Sequence, residues 1–280
     1  MNIQNAIKEG SKTLKYHNCK TPLLDSEIIM SKIICKDRHF IILNPDLVVK
    51  KNDLDNFKKL IEKRSKGNPI PYLIGTKSFW KNDFEVDSNV LIPRPDTELI
   101  IEETLKISKY KNKLKILDIG VGSGCILLSV LNEKKNFYGV GIDISKKCID
   151  LSKKNSFKLN LDKRAKFFKS NVDNFNYGKY DLIISNPPYI KKFDLKYLEK
   201  DVVNFEPKLA LNGGLDGLSE IRKVINKSSE LIKTNGKLIL EIGFNQKEKV
   251  KNILIKKGFY INRVLKDLAK KDRCIISTKK

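Results

Sequence analysis

The stretch Lys115-Ile116-Leu117-Asp118-Ile119-Gly120-Val121-Gly122-Ser123-Gly124-Cys125 reads as a buried strand, a glycine turn and the first residue of a helix. Glycine permits the tight turn, and its missing Cβ lets a ligand lie against the backbone. Ligands of open α/β sheets sit at the carboxyl ends of the strands, which is where this turn falls. The spacing is GxGxG and no Gly-Lys-Ser or Gly-Lys-Thr follows, which argues against a phosphate-binding P-loop. An acidic residue, Asp143, ends the next apolar segment, Tyr138 to Ile142. A carboxylate there can accept hydrogen bonds from both hydroxyls of a ribose. The plainer alternative is that Asp143 caps a helix starting near Ser145.

Downstream, strands and helices alternate. Helices are expected over 97–107, 125–131, 145–155, 219–232 and 246–257. Strands are expected at 138–142, 181–185 and 237–242, the last reached through Gly236, with two more near 260–264 and 274–277. Such alternation specifies a mostly parallel sheet covered by helices on both faces.

Upstream, the first ~70 residues show helical spacing only. Ile3, Ala6, Ile7 and Leu14 share one face, as do Leu24, Ile28, Ile29 and Ile33 after a Thr21-Pro22 start. Asn44-Pro45 is expected to open a short third segment, and Asn52 to cap a helix carrying Leu54, Phe57, Leu60 and Ile61, ended by Gly67. From Pro69 to Pro95, short apolar pieces separated by turn residues read as extended, with Tyr72-Leu73-Ile74 among them. The expected organisation is a helical bundle over 1–72, a β-hairpin linker over 73–95 and an α/β domain over 96–280.

The segment richest in chemistry is Ser185-Asn186-Pro187-Pro188-Tyr189, at the end of a strand. Two prolines remove backbone donors and hold the preceding residues extended. The Asn186 side-chain oxygen and a backbone carbonyl, from Asn186 or Pro187, can then accept both hydrogens of a planar NH2 group. The Tyr189 ring can pack on the planar group or on a cation. The alternative is a stiff loop that ends a strand and does nothing else.

Composition bounds the partners. Of 280 residues, 56 are Lys or Arg and 33 Asp or Glu, a net charge of +23 that suits nucleic acid or an RNA-associated partner. Because lysine is spread along the whole chain, compositional drift over solvated positions is the preferred explanation. Five scattered cysteines without a CxxC pair, and only two histidines, His17 and His39, argue against a disulfide framework or a zinc site; no metal is expected. The histidines read as surface or core residues, and Trp80 as an anchor of the hairpin. No apolar run approaches the ~18 residues of a membrane span, and the N-terminus lacks a signal-peptide pattern, so a cytoplasmic protein with no membrane partner is expected.

The glycine turn, Asp143 and the Asn-Pro-Pro-Tyr box together resemble class I amino-methylating methyltransferases. Three further stretches sharpen the likeness: Leu91-Ile92-Pro93-Arg94-Pro95-Asp96-Thr97-Glu98; Phe205-Glu206-Pro207 through Ala210-Leu211 to Gly213-Gly214-Leu215-Asp216-Gly217; and Leu240-Glu241-Ile242-Gly243 with Gln246. Over nearly the whole chain these resemble the release-factor glutamine methyltransferases, the HemK/PrmC family. The resemblance implies a Rossmann-like domain with a seven-stranded, mostly parallel sheet, S-adenosyl-L-methionine as cofactor, and N5-methylation of the glutamine in the Gly-Gly-Gln loop of peptide chain release factors. It implies that the helical domain holds the release factor. A bacterial cytoplasm or a bacterial-type organelle is the expected setting, no stable nucleic-acid complex is expected, and a monomer is expected because nothing in the sequence points to an obligate oligomer.

Carried over by position, Gly120, Val121, Gly122, Ser123 and Gly124 would line the methionine part of the cofactor, Asp143 the ribose, and Asn171 and Val172 the adenine. The family usually has aspartate where this chain has Asn171. Asn186, Pro187, Pro188 and Tyr189 would hold the glutamine amide beside the cofactor, and Arg94 and Glu98 would support substrate or form an arginine–carboxylate lock on the linker. Two other readings stay open: a nucleic-acid amino-methyltransferase acting on adenine N6 or cytosine N4, which are also planar NH2 groups, and a non-catalytic binding module that kept the fold.

Overall fold

Apolar periodicity near 3.6 residues makes the first part of the chain helical and alternating segments make the rest a sheet, as a computed structural model describing residues 1–280 records. The chain divides into two compact units, one comprising 1–76 with 199–205, the other 77–198 with 206–280.

The first unit packs helices α1 (Ile3–Tyr16), α2 (Pro22–Ile34), α3 (Arg38–Leu43), α4 (Lys51–Ser65) and α5 (Ile70–Ile74). Ile3, Ala6, Leu14, Ile29, Met30, Ile41, Phe57 and Ile61 form its core. Several local signals resolve differently from the expectation. Thr21 does not cap α2; its hydroxyl donates to Asp25 Oδ1 at 2.8 Å. The third helix is capped by Asp37, which accepts from Phe40 N, and so ends at Asn44 where it was expected to begin. Helix α4 starts one residue before Asn52, with Lys50 at its cap. Residues 70–74 are helical rather than extended, because Pro71 is tolerated in a first turn and Gly75 closes the helix at φ +78°. The hairpin is therefore confined to β1 (Thr76–Phe79) and β2 (Asn82–Glu85), and Val90–Ile92 joins no strand.

The second unit contains α6 (Glu98–Ile107), β3 (Lys115–Ile119), α7 (Cys125–Glu133), β4 (Tyr138–Asp143), α8 (Lys146–Lys158), β5 (Ala165–Lys169), β6 (Tyr180–Ser185), α10 (Ser219–Leu231), β7 (Ile232–Glu241), α11 (Lys247–Lys256), β8 (Phe259–Lys266) and β9 (Asp272–Lys279). The seven strands run β5-β4-β3-β6-β7-β9-β8, with β9 antiparallel to both neighbours and all other pairings parallel. Apolar clusters cover both faces, one including Ile100, Leu127, Leu128 and Phe137, the other Ile221, Val224, Val250 and Leu254. Strand β5 carries no readable signal: Ala-Lys-Phe-Phe-Lys buries only Ala165 and Phe167, because it lies at the sheet edge.

The short helix α9 (Lys200–Phe205) belongs to the helical unit although it follows the Asn-Pro-Pro-Tyr box in sequence. Arg64, nearly buried, pairs with Asp25 at 2.7 Å and with Asp201 of this segment at 3.0 Å.

Candidate active site

Strand β3 has parallel neighbours on both sides, β4 and β6, and the winding of the chain reverses there. Beyond the carboxyl ends of two such strands an open α/β sheet leaves a crevice. Register aligns the ends: Ile119 lies opposite Ile142 on one side and Ser185 on the other, and Ser185 opposite Leu240. The next residues outward, Gly120, Asp143, Asn186 and Glu241, therefore share one rim.

The glycine turn needs its glycines for two reasons. Gly120, Gly122 and Gly124 have φ of +78°, +56° and +84°, a region that side chains disfavour. A Cβ at Gly124 would also sit 2.9 Å from Leu128, whereas at Gly120 or Gly122 it would meet nothing within 4 Å. The turn thus faces open space. Val121 and Ser123 are buried with their side chains away from that space, so only their backbones are available to a ligand. Asp143 Oδ2 accepts from Gly122 N at 3.0 Å and Oδ1 from Ser145 N at 2.9 Å. Asp143 braces the turn and the start of α8 together, while Ser145 caps the helix itself. Burial raises the Asp143 pKa, and the amides of Ser145 and Gly122 temper the rise.

At the Asn-Pro-Pro-Tyr box, Asn186 Nδ2 donates to Thr97 Oγ1 at 3.1 Å. The Tyr189 hydroxyl donates to Glu241 Oε1 at 3.2 Å and accepts from Arg273 at 3.3 Å. Its phenol is therefore engaged on the protein side, and burial lifts its pKa above the usual tyrosine range. Gln246 clamps the loop: its Nε2 donates to the carbonyls of Tyr189 and Gly217, and its Oε1 accepts from Gly243 N. Gly213 lies against the same loop, where a Cβ would come within 2.9 Å of Pro188 O. Glu241 is fully buried, and burial pushes its pKa up to about 7 against the hydrogen bonding of Thr97 and the charge of Arg273.

The remaining candidates lie elsewhere. Asn171 is exposed and accepts from Asp173 N at 3.2 Å, and Val172 packs on the apolar cluster beneath; both follow β5, whose end is paired with that of β4. Arg94 does not pair with Glu98. It meets Glu206 Oε1 at 2.5 Å, and Glu98 accepts from Trp80 N at 2.7 Å. The Trp80 indole donates to Glu133, which pins the hairpin to α7. His17 and His39 are exposed residues of the helical unit. Thr97, Glu206, Gly213, Glu241, Gln246 and Arg273 were given no role on the sequence alone. The first five stand inside the quoted signature stretches, and that position was the available signal.

The cysteines near the site are not nucleophiles: burial pushes Cys125 and Cys148 to about 12. A cavity of about 270 Å³ lined by Lys113, Lys115, Tyr138, Arg164 and Tyr177 opens at the other, amino ends of β3 and β4. S-adenosylmethionine fits the rim on this chain's own features. The turn offers backbone and open space, and Asp143 offers a carboxylate beside it. Asp118, buried beneath the turn, has no hydrogen-bond partner on either oxygen, and burial carries its pKa to about 8. A cation bound above it would favour loss of that proton, and this cofactor carries an ammonium and a sulfonium.

A seven-stranded sheet of this order with a glycine turn at its switch point defines the protein as a class I S-adenosylmethionine-dependent methyltransferase. A solved methyltransferase from Pyrococcus furiosus shares the fold, with a TM-score of 0.55 at 19% identity over 72% of this chain and 91% of that one. Family models match as the PrmC N-terminal domain over residues 5–75 and the methyltransferase small domain over 96–209. A release factor glutamine methyltransferase of Clostridium acetobutylicum is 36% identical over 282 residues, covering 100% of this chain and 99% of that protein. The chain belongs to the release factor glutamine methyltransferase family. A bifunctional methyltransferase of Rickettsia bellii is 32% identical across 98% of the chain, which spans about half (54%) of that longer protein.

Proposed function

We propose that this enzyme transfers a methyl group from S-adenosylmethionine to the side-chain nitrogen of the glutamine in the Gly-Gly-Gln loop of peptide chain release factors. The observation that carries the reading is the rim itself, where the Asn186 amide stands beside a glycine turn braced by Asp143. The bound cofactor supplies an electrophilic methyl on a sulfonium. Asn186 Oδ1 and a carbonyl of the Asn186-Pro187 backbone accept the two hydrogens of the glutamine amide, which draws electron density onto its nitrogen. Held in this way, the nitrogen would keep its lone pair free to take the methyl that the bound cofactor would supply, and the proton displaced from nitrogen would pass to solvent.

Gly120, Gly122 and Gly124 line the methionine part, and Asp143 takes the ribose hydroxyls. Asn171 and Val172 border the adenine. Pro187 and Pro188 stiffen the loop; Tyr189 acts through its ring, since its hydroxyl is engaged by Glu241 and Arg273. Arg94 and Glu98 support the approach to α6 through Glu206 and Trp80 rather than touching substrate. The helical unit holds the body of the release factor, for which it offers a groove of about 520 Å³ lined by Ile7, Leu23, Ile41 and Ile42. The enzyme works as a monomer in a cytoplasm.

The test is transfer of labelled methyl to purified release factor, to the same factor with its loop glutamine changed to alanine, and to DNA and RNA. Label in the factor that disappears with the glutamine is expected. Label in nucleic acid alone would replace the reading with that of an adenine or cytosine amino-methyltransferase. In the same assay Asn186→Ala is expected to lose at least ~100-fold in rate while keeping cofactor affinity.

A further inference from the structure

Thr97 ends a 3-10 turn (Pro95–Thr97) that runs straight into α6, and its side chain makes no hydrogen bond to the start of that helix. Thr97 is 3% exposed, and its hydroxyl is turned toward Asn186 and Glu241. A buried hydroxyl withheld from its own helix needs another use.

The direction of every hydrogen bond around it is set by the two ends of a chain. Arg273 can only donate, and its Nη1 occupies the Tyr189 oxygen at 3.3 Å. The Tyr189 proton accordingly goes to Glu241 Oε1 at 3.2 Å. An ionised carboxylate can only accept. Glu241 Oε2 is buried with no hydrogen-bond partner, and the Thr97 hydroxyl faces that carboxylate closely enough to lower its pKa. With its proton turned to the unpartnered oxygen of Glu241, Thr97 presents lone pairs to Asn186. Asn186 must then turn its NH2 toward Thr97, as it does at 3.1 Å, and its carbonyl oxygen the other way.

We propose that Thr97 is a positioning residue for methyl transfer: it fixes the flip of the Asn186 amide so that Oδ1, not Nδ2, is presented to the substrate. The two ends of an amide have nearly the same shape, so packing alone selects weakly between them. The wrong flip would set a donor against the donors of the glutamine NH2 and leave no acceptor to draw on its nitrogen. This inference rests on the reading that Asn186 holds the substrate amide.

The same logic gives a pH signature. The groups facing Glu241 are Thr97 and Asp96 ahead of α6, Tyr189 after β6, and Arg273 and Cys274 on β9. Arg273 stays charged, and burial lifts Tyr189 and Cys274 out of range. Protonated Glu241 could itself donate, and the direction of the chain would be lost. The wild-type kcat is expected to fall as pH drops below about 7, and Glu241→Gln to flatten that limb.

The experiment measures kcat, KM for release factor, cofactor affinity and Tm in wild type, Thr97→Val, Thr97→Ser and Glu241→Gln. Valine keeps the shape and removes the hydroxyl, so kcat is expected to fall roughly 10- to 100-fold, with cofactor affinity unchanged and serine restoring most of the rate. Thr97→Val matching wild-type kcat overturns the inference, as does a lower Tm with an unchanged rate per folded molecule. If Thr97→Val does not fold, Glu241→Gln decides, and a wild-type pH profile in that variant overturns the proposal. Wild type failing to methylate the release factor while binding cofactor would instead overturn the function on which it rests.

Discussion

Ser185 donates its buried hydroxyl to the carbonyl of Ile119 across 2.7 Å, at the point where β3 and β6 end side by side. That bond ties the strand preceding the glycine turn to the strand preceding the Asn-Pro-Pro-Tyr box. Cofactor and acceptor are thus referred to one rigid frame, and an error in either loop becomes a misplacement of the reacting atoms. A misplacement of ~1 Å can cost on the order of 100-fold in rate.

Asp143 serves both turn and helix, so the substitution that tests it must keep its shape. Asp143→Asn is expected to weaken cofactor binding roughly 10- to 100-fold, the worth of one to two charge-assisted hydrogen bonds. Titration calorimetry reads the affinity, and an unchanged value would leave Asp143 only its role of bracing the turn and the start of α8.

Gly213 probes the loop from behind. A methyl there would stand 2.8 Å from Gly217 O and 2.9 Å from both Pro188 O and Tyr189 C, all backbone atoms unable to swing aside. Gly213→Ala should shift the box by tenths of an ångström and lower kcat by ~10-fold or more without changing cofactor affinity. A variant with wild-type kcat would show that the loop tolerates the displacement.

Arg94 and Glu206 form a pair whose carboxylate is 2% exposed and also accepts from Ile92 N at 3.3 Å. Arg94→Ala leaves that charge buried and is expected to cost about 2–4 kcal/mol. The double variant Arg94→Ala/Glu206→Gln should be more stable than Arg94→Ala alone, because the uncompensated charge is gone. Denaturant unfolding measures both, and equal losses would count against the pairing.

Stability should fall with rising pH through the buried acids. Asp118 is carried from 3.8 to about 8 and Glu241 from 4.5 to about 7. Both contributions are complete below about pH 4, where either state holds the protons. As pH rises the unfolded chain ionises first, and the advantage of the folded state is lost by about pH 8. The Tm of ligand-free wild type relative to Asp118→Asn should therefore decrease between pH 5 and 8. A difference that stays flat or increases would mean that Asp118 is ionised in the fold. Saturating cofactor, being cationic, should reduce the decrease.

Local patterns along the chain were enough for the class of the fold, the glycine turn and the Asn-Pro-Pro-Tyr box. Each is a contiguous stretch whose residues act on their own backbone: glycines reaching positive φ, prolines withholding donors, apolar runs long enough to be buried. Where local signals competed, they misled. Ile70-Pro71-Tyr72 looked extended and is helical, and Asn44-Pro45 looked like a start and is an end. Strand β5 gave no pattern because an edge strand buries too little to need one.

Partnership belongs to the tertiary structure. Asn186 meets Thr97 across 89 residues, Tyr189 meets Glu241 across 52, and Arg94 meets Glu206 across 112. Side-chain periodicity says which way a residue faces, but not which strand end lies beside it. Strand order and register decide that, and they are settled by how the two apolar faces of the sheet are covered. The separate signature stretches of this sequence, distant along the chain, are one site because β3, β6 and β7 end level with one another.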